Sequence, residues 1–282
     1  LSATVRILHF FLSLNVFGVI VVQIGMNSTL LLCLLLQDLQ SSADNTAKQT
    51  SYAFSFDKSG GKGKGRGAAD IEGVYASGAV YLKSGTIELI RTSETTMVRL
   101  EGGDWKSFAE ASAELKKSQP KEDPDPKKGR AAPPELSLED LSRIAAPHQL
   151  LHKIIAQMRK PTPSEENGAT VVKGELSDTY SRDVLKTEWF RMGDERDWSE
   201  ATGALAVTHK EKLVSLIEFT MTGKLLPENP RNMPRPNPNN PRQAGRMGLQ
   251  DGNATLRIRL EDFGSAKLPI PDELVKKLGL KK

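Results

Sequence analysis

An α+β fold with a mainly antiparallel sheet is predicted by three observations. Residues 51–57 alternate: Tyr52, Phe54 and Phe56 share one face, while Ser51, Ala53, Ser55 and Asp57 share the other. Residues 255–261 repeat the pattern, with Leu256, Ile258 and Leu260 set against Arg257, Arg259 and Glu261. This period of two is that of a half-buried strand. Between these segments, short strand-like runs and helical runs follow one another in the order helix, strands, linker, helices, strands.

The elements follow in chain order. Residues 36–48 place Leu36, Leu39, Ala43 and Ala47 at helical spacing. The strand 51–57 comes next, then a basic glycine-rich loop over 59–67. Residues 71–82 are expected to form one strand in which Gly78 marks a bulge. Residues 86–92 and 96–100 give two more strands, so the region reads as an antiparallel meander. Residues 106–117 are weakly helical. A proline-rich linker of mixed charge covers 119–134. Ser137 with Asp140 makes a capping-box start for a helix reaching Ala146, and Pro147 kinks that helix or opens the next. Leu150, Leu151, Ile154, Ile155 and Met158 then form a broad apolar helical stripe. A strand over 170–176 and a helix over 178–187 follow. Residues 189–200 lack a period and are expected to be loop. Residues 204–209 and 213–222 form a hairpin across Lys210, Glu211 and Lys212. A second proline-rich stretch, 226–247, leads to the strand 255–261, an extended tail and a short helix over 272–278.

Composition narrows the function. The chain has 282 residues, 39 Lys+Arg, 35 Asp+Glu and a formal net charge of +4. Charge is unevenly placed: apolar types fill 24 of the first 36 positions, and Arg6 is the one charged residue there. The rest carries 38 basic against 35 acidic residues, which is no electrostatic footprint for nucleic acid. A single Cys excludes an intrachain disulfide framework and Cys-rich zinc sites. One positive residue ahead of a long apolar stretch has the form of a secretory signal or an uncleaved membrane anchor. Residues 1–36 are therefore expected to be a signal peptide or N-terminal anchor, and 37–282 a single α+β domain with proline-rich insertions near 119–134 and 226–247. Cys33 is a candidate lipidation site, although Leu32 stands where a lipobox needs a small residue. The plainer alternative is a cysteine acting as a small hydrophobe.

The catalytic patterns fail on context. His148 and His152 sit at i,i+4 as in H-E-x-x-H, but Gln149 replaces the general base and no third ligand is evident, so no metal site is expected. The simpler reading places both on the exposed side of an amphipathic helix. Ser55 and Lys58 fit S-x-x-K, with Lys83, Ser84 and Gly85 as a second element. That serine needs a helix start, whereas Ser55 lies in an alternating strand. Gly63, Gly65 and Ala68 follow a strand as a dinucleotide loop would, yet no helix opens after them. No enzyme activity and no cofactor are expected. Trp105, Trp189 and Trp198 suit an apolar pocket or an ordinary core equally.

Several places carry a family likeness. The opening helix runs into Ser51-Tyr52-Ala53-Phe54-Ser55-Phe56. The strand-loop-strand region ends in Gly103-Asp104-Trp105-Lys106. The chain closes with Leu256-Arg257-Ile258-Arg259-Leu260-Glu261-Asp262-Phe263-Gly264 and Leu268-Pro269-Ile270-Pro271. In these features the chain resembles the LolA/LppX-like superfamily of bacterial envelope proteins. The resemblance implies a curved antiparallel half-barrel covered by helices, whose concave face holds lipid or the acyl chains of lipoproteins. The expected cavity residues are Tyr52, Phe54, Phe56, Leu151, Ile155, Ile217, Phe219 and Met221, against the alternative that they make a dry core. The function expected is that of an exported, non-catalytic protein of the periplasm or cell envelope, either released or tethered to the membrane through its N-terminal segment. The alternatives are a structural or sensor domain that binds another envelope protein and, further off, a metal-dependent hydrolase using His148 and His152.

Overall fold

The computed structural model describes residues 28–60, 71–118, 137–185, 198–225 and 250–280. The chain divides into two units, Leu1–Leu34 and Leu35–Lys282. In the first, Cys33 and Leu34 are exposed. Among the described residues, no helix is long and apolar enough to cross a membrane.

Eleven strands make up the sheet. They are β1 (Ser51–Gly60), β2 (Ile71–Ala76), β3 (Ala79–Ser84), β4 (Ile87–Arg91), β5 (Thr96–Leu100), β6 (Lys106–Ser107), β7 (Met158–Glu166), β8 (Ala169–Leu176), β9 (Trp198–Lys210), β10 (Leu213–Leu225) and β11 (Gln250–Glu261). Among the described residues there are six helices: α1 (Ser28–Ala47), α2 (Phe108–Ser118), α3 (Leu138–Arg143), α4 (His148–Ile155), α5 (Asp178–Leu185) and α6 (Asp272–Lys277). Every strand pair is antiparallel, in the order β6-β5-β4-β3-β2-β1-β11-β10-β9-β8-β7. The sheet is curved and open, with β6 and β7 as its edges. The fold is thus the expected α+β half-barrel.

Topology places the helices. The chain starts at the centre with β1, meanders outward to β6, and must then reach the opposite edge, β7. Ten strand spacings at about 4.8 Å separate those edges along the sheet. The helices α2, α3 and α4 fall within this crossing and pack on one face. From β7 the chain meanders back until β11 pairs with β1, with Phe54 opposite Leu260 and Phe56 opposite Ile258.

Register shows which side chains lie beneath these helices. On one arm Phe54, Gly73, Leu82, Leu89 and Val98 are cross-strand neighbours from β1 to β5. On the other, Phe56, Ile258, Ile217, Val207 and Val172 run from β1 to β8. These side chains, Gly73 having none, share one buried cluster with Leu39 and Ala43 of α1, Leu141 of α3 and Leu151, Ile154 and Ile155 of α4. This inner, concave face therefore has a helical cover. Arg91, on the same face, fixes part of it. Its guanidinium donates to the carbonyls of Ser142 and Ile144 (the latter at 2.9 Å), which satisfies acceptors at the end of α3 where the helix has no partners of its own.

The opposite face holds a second cluster. Ala79, Ile90, Met97 and Leu274 are buried there, with Trp105, Leu268, Ile270, Leu278 and Leu280 packed on them. The expected extended tail thus becomes a strap whose Leu268 and Ile270 cover the outside of β3–β5. Beside it, Glu88 accepts from Tyr81 (2.8 Å) and Arg99 (2.5 Å), and the Arg99 guanidinium lies over the Trp105 ring. Burial and the Glu88 carboxylate raise the Tyr81 phenol well above its ordinary pKa.

Several elements differ from expectation. Residues 71–82 are not one bulged strand but most of a hairpin, β2–β3, turned at Ser77 (φ 52) and Gly78 (φ 79). Two positive φ values define a type I′ turn, and glycine takes the second without steric cost. Met158 does not extend the α4 stripe; it is buried at the start of β7. The inner face of α1 is Leu39, Ser42, Ala43 and Thr46, each fully buried, rather than the series ending at Ala47. Trp198 to Glu200 belong to β9, not to loop. Pro147 opens α4 as its N-cap, and Ser137 caps α3 by accepting from the Asp140 N–H. The linkers 119–134 and 226–247, Trp189, and Gly63, Gly65 and Ala68 lie outside the described residues.

Candidate functional site

The eight expected cavity residues come together. Tyr52, Phe54 and Phe56 project from β1, Ile217, Phe219 and Met221 from β10, and Leu151 and Ile155 from α4. None is more than 3% exposed, and all belong to the inner-face cluster. The pattern follows from strand geometry: every second residue of β1 and β10 turns inward. Neighbouring rings tilt or stand edge-on, Tyr52 to Phe54 at 5.9 Å and Phe54 to Phe56 at 5.7 Å between centroids. These are favourable aromatic geometries.

The covering helices meet this face through a few polar contacts. Helix α1 is held against the β9–β10 hairpin. The ladder slips between Val214 and Leu216, and the Val214 N–H donates to Thr46 Oγ1 at 2.9 Å. Thr46 in turn donates to the Ser42 carbonyl. One turn earlier, Ser42 Oγ lies 3.2 Å from His209 Nδ1, and Asp38 lies 3.7 Å from His209 Nε2. Ser42, His209 and Asp38 have the composition of a hydrolytic triad. Their setting is structural: Ser42 is fully buried and its hydroxyl donates to the Asp38 carbonyl, so it offers no exposed nucleophile. Replacing Thr46 with valine, nearly its isostere, is expected to strand the buried Val214 N–H and cost about 1–3 kcal/mol. Denaturant unfolding measures this, and an unchanged midpoint would refute the tie.

Helix α4 has two ties, both through the histidines singled out by spacing. His148 is not on an exposed side. It faces the sheet, where Tyr52 Oη lies 2.5 Å from its Nδ1 and the Tyr75 ring centroid lies 4.5 Å from its own. The His148 backbone N–H also donates to the Tyr52 oxygen, at 3.3 Å. Tyr52 therefore stands in for the missing side-chain cap of a helix that begins at proline. Tyr52 Oη and His148 Nδ1 share a second hydrogen bond, in which the histidine tautomer sets which of them donates. Burial holds the His148 pKa below the ordinary histidine value and raises that of the Tyr52 phenol. His152, one turn on, is half exposed and pairs with Asp44 of α1 at 3.0 Å. The two imidazoles thus turn toward different partners instead of converging. Among the described residues, no group of three metal-ligating side chains occurs.

The S-x-x-K pattern is also separated in space. Ser55 lies in β1 with its side chain opposite the Phe54 and Phe56 face, whereas Ser84 is buried on the inner face opposite Ile71. A surface depression of about 520 Å³ lies at the β4–β5 turn and the start of α2, lined by Arg91, Thr92, Thr96, Ser107 and Phe108 among others. It is open and rich in hydroxyls, and none of the eight expected residues lines it. Sequence reasoning missed Arg91, Ser42, Thr46 and His209 as fasteners. Ser42 and Thr46 do sit at helical spacing beside Leu39 and Ala43, where two polar residues on an apolar face are a signal in themselves.

The architecture defines a class: an open, curved antiparallel sheet whose apolar concave face is roofed by helices. Solved chains of this kind match across most of the molecule. The Mycobacterium tuberculosis lipoprotein LppX is similar at 11% identity and a TM-score of 0.40, over 84% of this chain and 98% of that one. LprF from Mycobacterium bovis is similar at 14% identity and a TM-score of 0.40, over 84% and 95%. No family model matches the chain, and no curated protein matches it.

Proposed function

We propose that the protein is an exported cell-envelope protein that binds a hydrophobic ligand, a lipid or lipoprotein acyl chain, between its concave sheet face and the covering helices, without catalysis. The observation that carries this reading is the nature of the cover. The concave face is a continuous apolar surface from β5 to β8, and what lies over it is a set of separate helices fastened at a few polar points: Arg91 to α3, Tyr52 to α4, His209 and Val214 to α1. A roof of this build opens by breaking a few contacts, whereas a second sheet would have to part along its whole length. The apolar segment near the N-terminus adds an export or anchoring route. Residues 1–36 serve as that address in this reading, with Cys33 as a candidate acylation point, exposed on its helix.

Native mass spectrometry of the full chain, purified from bacterial membranes and periplasm, tests the proposal. One lipid per chain, released by organic solvent and exchangeable with a fluorescent fatty acid, is expected. A chain that is lipid-free and does not bind the probe would overturn the reading. If an envelope protein co-purified in place of lipid, a structural or sensor role would take over. The same spectrum shows whether the chain is cut before Cys33 and acylated there.

A further inference from the structure

We propose that the Ser181 hydroxyl is a polar contact of the ligand, donating to the carbonyl oxygen of a neutral acyl ester held on the β8–β10 arm of the concave face. The proposal deepens the ligand-binding reading and rests on it, and it names the ligand class: an esterified acyl chain.

Ser181 stands on the inner side of α5. Ser177 opens this helix by accepting from the Tyr180 N–H at 3.2 Å. Val184, one turn beyond Ser181, belongs to the buried inner-face cluster, and Tyr180 packs against it. Arg182 and Asp183 are exposed on the other side. A hydroxyl is thus set into an apolar stripe, where it costs stability unless it is hydrogen-bonded.

That hydroxyl has no partner. Helical serines commonly donate to the carbonyl four residues back. Here the Ser177 carbonyl takes the Ser181 N–H at 2.8 Å, and among the described residues Ser181 Oγ makes no hydrogen bond. The residue is 0% exposed, so bulk water does not reach it. Arg99 Nε, Trp105 Nε1 and Ser112 Oγ share this condition. Arg99 and Trp105 belong to the outer-face network, and Ser112 is half-buried as a residue. Ser181 is the fully buried one, and it faces the concave side.

The sheet beneath brings the hydroxyl close. Leu176 of β8, Gly203 of β9, Met221 of β10 and Ala254 of β11 are cross-strand neighbours on the inner face. A Cβ on Gly203 would lie 2.7 Å from the Ser181 oxygen and 2.7 Å from the Met221 sulfur. The bare backbone therefore admits both side chains to this row, and Met221 is one of the eight expected ligand-facing residues. A single donor is left among apolar groups, on the surface where the acyl chain is proposed to lie.

Chemistry selects the group that meets it. A carbonyl oxygen only accepts, so one donor serves it and no proton is left over. A ligand hydroxyl would bring a second proton, and one of the two hydroxyls would keep its own unbonded. A carboxylate would bring a buried charge, and the charged side chains of α5 lie on its exposed side.

Displacement of a fluorescent fatty acid from the full chain tests the contact, with methyl palmitate and an alkane of matched length as competitors, in wild type and Ser181→Ala. The ratio of ester to alkane affinity is expected to fall about tenfold in the variant, the worth of one buried hydrogen bond. Infrared spectroscopy of the bound ester adds a reading that packing alone does not move. Its carbonyl band should lie below the position it has in alkane solvent and return there in the variant. Without ligand, Ser181→Ala should unfold about 3 °C higher, because an unpaired buried hydroxyl is removed. An unchanged ratio or an unshifted band would overturn the proposal. So would a ligand-free variant less stable than wild type, since the hydroxyl would then be bonded within the fold. Displacement by both competitors with an unchanged ratio sinks the Ser181 contact alone. A chain that takes up neither the fluorescent probe nor the ester sinks the ligand reading, and the contact with it.

Discussion

Phe56→Ala is expected to lower the stability of the domain by about 3–5 kcal/mol. Phe56 is 1% exposed and occupies the middle of the sheet, with Ile71 opposite it on β2 and Ile258 opposite it on β11. Its ring also stands edge-on to Phe54. The pairing of β1 with β11 is the single seam that joins the two meanders, so a cavity at this point loosens both arms. Neighbours on a sheet cannot slide in to fill it, because their backbones are held in register by ladder hydrogen bonds. At about 2–4 °C for each kcal/mol in a domain of this size, the midpoint of thermal unfolding should fall by roughly 10 °C. Calorimetry with and without a bound fatty acid adds a functional reading. A ligand that occupies the concave face should restore part of the loss, and no restoration would argue for a dry core at this position.

Gly73→Val is the second large effect, and it acts through overfilling. Gly73 lies opposite Phe54 on the inner face, and the Phe54 ring covers the space where a Cβ would project. A valine there must push the ring off its rotamer and into the packed cluster, at about 2–4 kcal/mol. Phe54→Ala alone should cost a similar amount for the opposite reason, since it leaves a void above a residue with no side chain. The two changes together should be less harmful than their sum by at least about 1 kcal/mol, because each removes the cause of the other's penalty. Denaturant unfolding of the four proteins in the cycle reads this coupling directly. Additive losses would mean that Phe54 does not depend on the bare backbone of Gly73.

The residues with local patterns were legible, and those with distant partners were not. The alternation of Tyr52, Phe54 and Phe56 announces both a strand and its inward face, since that pattern needs no knowledge of the rest of the chain. Leu151 and Ile155 are recognisable in the same way from helical spacing. Strand β7 escaped notice because Met158 to Glu166 contains Pro161, Pro163, Lys160 and two glutamates. Such a composition suits an edge, where unpaired backbone groups must be shielded from other strands. A cue was available in Asn167 and Gly168, whose φ values of 54° and 73° form the tight turn into β8. The histidines show the limit most clearly. Spacing of i,i+4 places two side chains on the same side of a helix, but it does not say that Tyr52, almost a hundred positions earlier, waits beneath one of them.

Legible in the residues alone were the class of fold, most strands and most helices, the inward set of aromatic and aliphatic side chains, and the uneven charge that marks residues 1–36 off from the rest. Those properties are written in neighbours along the chain, where periods of two and of three to four suffice. It took the folded chain to show that β11 closes on β1, that the crossing helices roof one face while the Leu268 and Ile270 strap covers the other, and that Ser42, Thr46, Arg91, His148 and His209 are fasteners. Each of these depends on partners separated by tens to hundreds of residues. Their pairing is settled by which surfaces meet once the sheet has curved and the crossover has been drawn across it.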